Sequence, residues 1–404
     1  MQLYAQHGYG PSDKLTRAVE EGNIDGVIFS PRYIRPNAMG NIAEKLTSIN
    51  EDIELFLDPE YYATNFINEQ NAKLGYLEEW PYFRSIRRNL LLTSDQRVDE
   101  IINQSIEIQL ESGVNNLITP NVFINTSFDS IDAALAIKFI QRSNEYLSNN
   151  DLNYPLYVSL LVNTYALSNR KDFLEFIDTL TGSLTNVQGI YTIVGNNAAT
   201  SRPIFLSADI VQREVLGGWM YLNYALELNG FEVLNGYSDL AIPFLAAAGG
   251  TSGATGWWSN LQSFSLNRYI RTAGGGRLPV IRYLSNALLG RITFDEREAF
   301  AELVPQINNN LSYDEEYIGT EPDRTVEILQ SWEAINDLNT EILNENNINS
   351  RLETLLFKID IAEQTWRELD TQGMRVRGTI SEYLNCLRES INYFKELAEI
   401  DSHD

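Results

Sequence analysis

The 404-residue chain has one cysteine, Cys386, and two histidines, His7 and His403. A single thiol excludes an intrachain disulfide framework and a cysteine-based zinc site. Two imidazoles exclude a multi-histidine metal centre, so the sequence asks for no metal and no cofactor. Such thiol usage fits a reducing, cytoplasmic setting. Lysine is scarce too. Lys14, Lys45, Lys73, Lys138, Lys171, Lys358 and Lys395 are the full set, and all fall in segments that read as helices or loops. None ends a strand, which argues against a Schiff-base aldolase. No apolar run reaches the roughly 20 residues that span a bilayer. The opening MQLYAQHGYG lacks a basic n-region, so the expectation is a soluble, unexported protein without a membrane partner.

The last absence is local. Between Leu240 and Phe294 there is no Asp or Glu, yet Arg268, Arg271, Arg277, Arg282 and Arg291 fall inside that window, on a chain of net charge -25. A basic island in a negative field is a place where an anion docks, and its GGTSG and GGG runs would let backbone N–H groups approach phosphate oxygens. The alternative is that these arginines neutralise the acidic C-terminal third. Arginine outnumbers lysine throughout, and its planar fork suits phosphates and base faces.

What is present in quantity is alternation. The runs QLYAQHG, DGVIFSPRYI, DIELFLDPEYY, VNNLITPNVFI, YPLYVSLLVN, VQGIYTIVGN, FEVLNGYS and ATGWWSN read as eight strands, each separated from the next by a helical segment. That order predicts a (β/α)8 barrel over residues 1–294. No G-x-G-x-x-G follows the first strand, which argues against a dinucleotide-binding sheet. From Asp295 onward the chain carries 25 Asp and Glu against 9 Lys and Arg. It reads as helices over Arg324–Asn344, Ser350–Thr371 and Gly378–Ile400, an acidic helical appendage over 295–404 that packs on the barrel or serves as an oligomerising arm.

Barrels of this kind place chemistry at the carboxyl ends of their strands. The candidates there are His7, Arg32, Tyr33, Asp58, Glu60, Asn121, Asn125, Asn163, Asn196, Asn197, Ser238 and Asp239, with Trp257 and Trp258 at the eighth strand. Asp58, Glu60 and Asp239 are the only carboxylates among them. Two carboxyl groups facing across a barrel mouth can break a glycosidic bond, one protonating the leaving group and the other stabilising a cationic sugar. Asp58 and Asp239 serve equally well as caps of the turns that follow them. The connection after the third strand, YLEEWPYFRSIRRN, sets Trp80, Tyr82 and Phe83 beside Arg84, Arg87 and Arg88. Such a loop either stacks bases and grips phosphates or packs its aromatics onto the barrel.

The segments FLDPE with Asp58, GYSD with Asp239, and the following GGTSGATGWW give the barrel a resemblance to the tRNA-guanine transglycosylase-like superfamily, and within it to phage-defence DNA glycosylases. The resemblance implies that one of Asp58 and Asp239 is nucleophile or electrostatic stabiliser and the other handles the proton. The DSGGFQ-type signature and the Cys/His zinc site of the transglycosylases are absent, which leaves base excision with water as acceptor more open than base exchange. The expectation is an N-glycosidic enzyme acting on a flipped, modified base in DNA. Arg84, Arg87, Arg88, Arg268, Arg271 and Arg277 would face the backbone. The alternatives are a barrel enzyme for a small phosphorylated or carboxylated metabolite, and a non-catalytic barrel whose helical arm binds a partner.

Overall fold

Runs such as LYVSLLVN and GIYTIVGN are apolar on both faces, the pattern of strands buried between a barrel interior and a coat of helices. In the computed structural model, which describes residues 1–10, 13–150, 152–196, 210–271, 279–374 and 380–400, they are parallel strands buried throughout except at Asn196, the last residue of the second. The order begins β1 (Gln2–Gln6), α1 (Asp13–Glu20), β2 (Gly26–Phe29), α2 (Pro36–Ile49), β3 (Glu54–Leu57), α3 (Arg88–Thr93), α4 (Asp95–Glu111), β4 (Leu117–Ile118) and β5 (Phe123–Ile124). It continues α5 (Ile131–Asn149), β6 (Leu156–Asn163), α6 (Thr164–Leu167), α7 (Arg170–Ser183), β7 (Gly189–Asn196), α8 (Arg213–Leu228), β8 (Glu232–Gly236), α9 (Ile242–Ala247), β9 (Ser252–Thr255), α10 (Ser259–Gln262) and β10 (Phe264–Ser265).

The strands pair in parallel in the order β3-β2-β1-β9-β8-β7-β6-β4, with β5 added to β6 and β10 to β7. Closure between β3 and β4 combines two backbone bonds with one side chain. The amides of Asn115 and Asn116 donate to the Leu55 carbonyl, while the Asn115 carboxamide accepts from Leu55 N–H at 2.7 Å and donates to the Ile53 carbonyl at 2.8 Å. Asn115 thus supplies the ladder bonds of a strand where the backbone diverges. The result is a (β/α)8 barrel.

Two strands differ from the sequence reading. VNNLITPNVFI is broken into β4 and β5 because Pro120 has no N–H to give a ladder, and the Asn121 side-chain carboxamide fills the gap by donating to the carbonyls of Ser159 and Ala136. The eighth strand lies at SGAT rather than ATGWWSN, so Trp257 and Trp258 stand beyond its end.

After the barrel come a hairpin of β11 (Arg282–Ser285) and β12 (Gly290–Thr293), then α11 (Phe294–Leu303), α12 (Arg324–Leu343), α13 (Ile348–Thr371) and α14 (Ile380–Leu397). Thr293 and Glu296 form a reciprocal capping box on α11, and Asp323 caps α12, so these helix starts are encoded locally. The hairpin edge is finished by α12: the Gln330 carboxamide accepts from Leu284 N–H and donates to its carbonyl at 3.0 and 2.8 Å. The buried side of α14 packs on α8, where a Cβ on Gly217 would lie 2.6 Å from the Ser390 carbonyl oxygen. Among the described residues no helix is long and apolar enough to cross a membrane.

Candidate active site at the carboxyl end of the barrel

Parallel strands deliver their last residues to one end of the barrel, and there the polar positions of β1, β2, β3 and β8 converge. Asp58 follows β3, with its N–H held by the Phe29 carbonyl at 3.0 Å. It is 1 % exposed. One carboxyl oxygen accepts from Glu60 N–H at 3.0 Å, and the other accepts from the phenols of Tyr62 at 2.8 Å and Tyr191 at 3.2 Å. Burial pushes its pKa up to about 7, the charge of Glu60 adds to the rise, and the three donors oppose it. A carboxyl group that titrates near neutrality can both give and take a proton.

Glu60 is fully buried and accepts from the Ser30 hydroxyl and, at 2.5 Å, from the Tyr269 phenol. Burial holds the phenols of Tyr62, Tyr191, Tyr237 and Tyr269 well above their ordinary range, so they remain donors. Tyr191 reaches Asp58 only because Gly236 leaves room on β8, where a Cβ would meet the phenol oxygen at 2.6 Å. Backbone strain gathers at these strand ends. Glu60, Tyr237 and Asp239 all have positive φ, at 48°, 53° and 38°, a conformation that costs a side-chain-bearing residue roughly 1–3 kcal/mol and clusters where function requires it.

Arg268 completes the group. It is 8 % exposed, yet Nε, Nη1 and Nη2 have no hydrogen-bond partner. Its guanidinium lies 4.8 Å from the Tyr237 ring centre and 5.7 Å from that of Tyr269. Arg32, also buried, donates from Nη2 to the Arg268 carbonyl at 2.5 Å and lies over Tyr33 and Tyr269, each at 5.1 Å. A buried cation without hydrogen bonds is costly, and the arrangement leaves Arg268 able to meet a negative charge. Gln6, fully buried on β1, has both carboxamide atoms without a partner, as does the Tyr237 phenol.

No protein-family model matches this chain. No curated protein matches it either. Among solved structures it is similar to a monomeric dihydrodipicolinate synthase variant, at 14 % identity over 84 % of this chain and 97 % of that one, TM-score 0.34. It is also similar to the carboxyl transferase domain of Rhizobium etli pyruvate carboxylase, at 10 % identity over 99 % of this chain and 61 % of that one, TM-score 0.36.

Other positions singled out in the sequence have different surroundings. Asp239 does not stand free across from Asp58: Arg291 grips both its oxygens at 2.7 and 2.8 Å, and Thr255 donates to it at 2.7 Å. The reason is the hairpin, which carries Arg291 back to the end of β8. Asn163 accepts from Tyr165 N–H and caps α6. Asn125 is half-buried with its carbonyl oxygen unpartnered, and Asn196 is half-buried at the end of β7, backbone-paired with Ser265. The indoles of Trp257 and Trp258 both donate to the Tyr9 carbonyl, the first buried against His7.

In the long connection, Trp80, Tyr82 and Phe83 are core residues, Trp80 donating to the Pro31 carbonyl; they do not present faces for bases. Arg84 pairs with Glu100 and Arg88 with Asp132, whereas Arg87 and Arg271 are exposed. Arg277, Asn197 and His403 lie outside the described residues. Beyond Tyr33 and Tyr82, the sequence reading missed the tyrosines of the Asp58 cluster, Tyr62, Tyr191, Tyr237 and Tyr269. Their signal was present in the count, 21 in the chain, but not in any spacing.

Proposed function

We propose that the chain is a glycosidic-bond enzyme working at the carboxyl end of its barrel, with a nucleotide-sized anionic substrate. Asp58 delivers the proton to the departing base, Glu60, beside it on the same strand end, supports the positive charge that gathers on the sugar, and water then adds to the sugar carbon and returns a proton to Asp58. Arg268 answers the negative charge that builds on the leaving base. The reading rests on one observation above all: Arg268, buried among phenols, has three guanidinium nitrogens without a partner in the cluster that holds a carboxyl group titrating near neutrality.

Binding to a polynucleotide needs a track of available cations. Arg84 and Arg88 are already answered by Glu100 and Asp132, which favours a mononucleotide-sized ligand over a base flipped from DNA. Base release can be followed by chromatography from a panel of nucleoside 5′-monophosphates and, in parallel, as abasic sites in modified and unmodified DNA. The expected result is release from the monomers. Asp58→Asn should lower it at least about 100-fold, and Arg268→Gln should reduce kcat. Release confined to DNA would transfer the chemistry to the polynucleotide form. Turnover by Asp58→Asn at the native rate, or no release from either panel, would overturn the assignment.

A further inference from the structure

Beside the Asp58 cluster, at the ends of β1 and β2, lies a cleft that the proton chemistry does not use. Its volume is about 800 Å3, within the roughly 300–1,000 Å3 of small-molecule sites. Among the described residues, Arg32 and Lys73 are the charged ones of its wall and no carboxylate lines it, on a chain of net charge -25. His7, also on the wall, adds no charge: burial and the nearby Lys14 hold its pKa at about 3, and its Nδ1 has no partner. Arg32 is 3 % exposed and its Nη1 is likewise unpartnered. Three tyrosines, Tyr33 and Tyr76 half-buried and Tyr9 exposed, form the apolar part of the wall together with Ile34 and Ile42.

Two cations without an opposing carboxylate, one of them buried with an open valence, suit phosphate better than any neutral group. The tyrosine faces suit a planar or sugar ring attached to it. Arg32 also joins this cleft to the reaction centre, since its other terminal nitrogen is bonded to the Arg268 carbonyl.

We propose that this cleft holds the phosphate of the substrate, at Arg32 and Lys73, with the ring that bears the phosphate lying against Tyr33 and Tyr76. It rests on the reading above only for which bond is then cut; phosphate binding stands by itself. The substrate class is thus a phosphorylated nucleoside or sugar, entering with its phosphate in the cleft and its reacting end toward Asp58.

Isothermal titration of the full chain with inorganic phosphate, ribose 5-phosphate, a nucleoside 5′-monophosphate and the same nucleoside without phosphate tests this. The monophosphate should bind at least ten-fold more tightly than either the nucleoside or inorganic phosphate. Arg32→Gln and Lys73→Ala should each weaken it roughly ten-fold or more, and Tyr76→Ala should weaken the nucleotide while sparing inorganic phosphate. Lys73 is exposed, so its variant keeps the test valid if Arg32→Gln fails to fold. Equal affinity for nucleoside and monophosphate, or a monophosphate affinity untouched by Lys73→Ala, would overturn the proposal. Binding of this kind in an Asp58→Asn variant that still turns over at the native rate would leave the cleft standing and remove the reaction assigned to Asp58.

Discussion

Replacing Asp239 by Ala separates a structural carboxylate from a catalytic one. Asp239 and Arg291 form a bidentate pair at 2.7 and 2.8 Å, with side chains 5 % and 4 % exposed. The pair ties the end of β8 to β12 of the hairpin. Truncating one partner of such a buried pair leaves an uncompensated charge and costs about 3–5 kcal/mol, a large share of the roughly 5–15 kcal/mol that holds a native domain together. Asp239→Ala is expected to lose that amount, because Arg291 would keep its charge with no carboxylate bonded to it, Glu327 nearby being already paired with Arg324. Arg291→Met should cost a similar amount, reduced by the bond that Thr255 still gives Asp239. The double variant should recover at least about 2 kcal/mol of the summed loss, since no charge remains buried alone. Urea unfolding followed by tryptophan fluorescence and far-ultraviolet circular dichroism reads all four corners of the cycle. A loss below about 1 kcal/mol in Asp239→Ala, or simple additivity in the double variant, would refute the structural assignment. Unchanged stability with abolished turnover would return Asp239 to the chemistry.

Two further perturbations test the same frame. Because Asp58 titrates at about 7 when folded rather than at its ordinary 3.8, the native state holds a proton that the unfolded chain has released between those values. Stability attributable to this group therefore falls as pH rises from about 4 to about 7 and stays reduced above it. Asp58→Asn should be more stable than the native chain at pH 8 by up to about 4 kcal/mol, with the gap closing toward pH 4; a gap that widens on acidification would contradict the assigned shift. Gly217→Ala would push a methyl group against the Ser390 carbonyl and should loosen α14 from α8 at a cost of about 1–3 kcal/mol, seen as faster amide exchange in both helices. Unaltered exchange there would mean the two helices are not held by that contact.

Much of the barrel was written locally. The helix starts at Ser130, Asn169, Thr293 and Asp323 carry their own caps, and the doubly apolar runs of β6 and β7 have few ways to be buried other than between two layers. The Ser252–Thr255 strand was not legible in this way, because small residues have no hydrophobic period to show. The hairpin of β11 and β12 escaped for a related reason: its edge is satisfied by Gln330, a side chain 46 residues from Leu284.

The composition by itself turned attention to carboxylates, phenols and arginines, since the chain has one thiol, two imidazoles and few lysines, and the alternation of apolar runs determined that polar groups would gather at the ends of parallel strands. Tertiary structure alone decided which of them are paired. Asp239 and Arg291, 52 residues apart, neutralise each other; Asp58 meets the phenol of Tyr191, 133 residues away, across the space left by Gly236; and Arg268 is left among aromatic rings. Charge and burial propensities run along a line, whereas the proton affinity of a carboxyl group depends on what stands within a few ångströms of it in three dimensions.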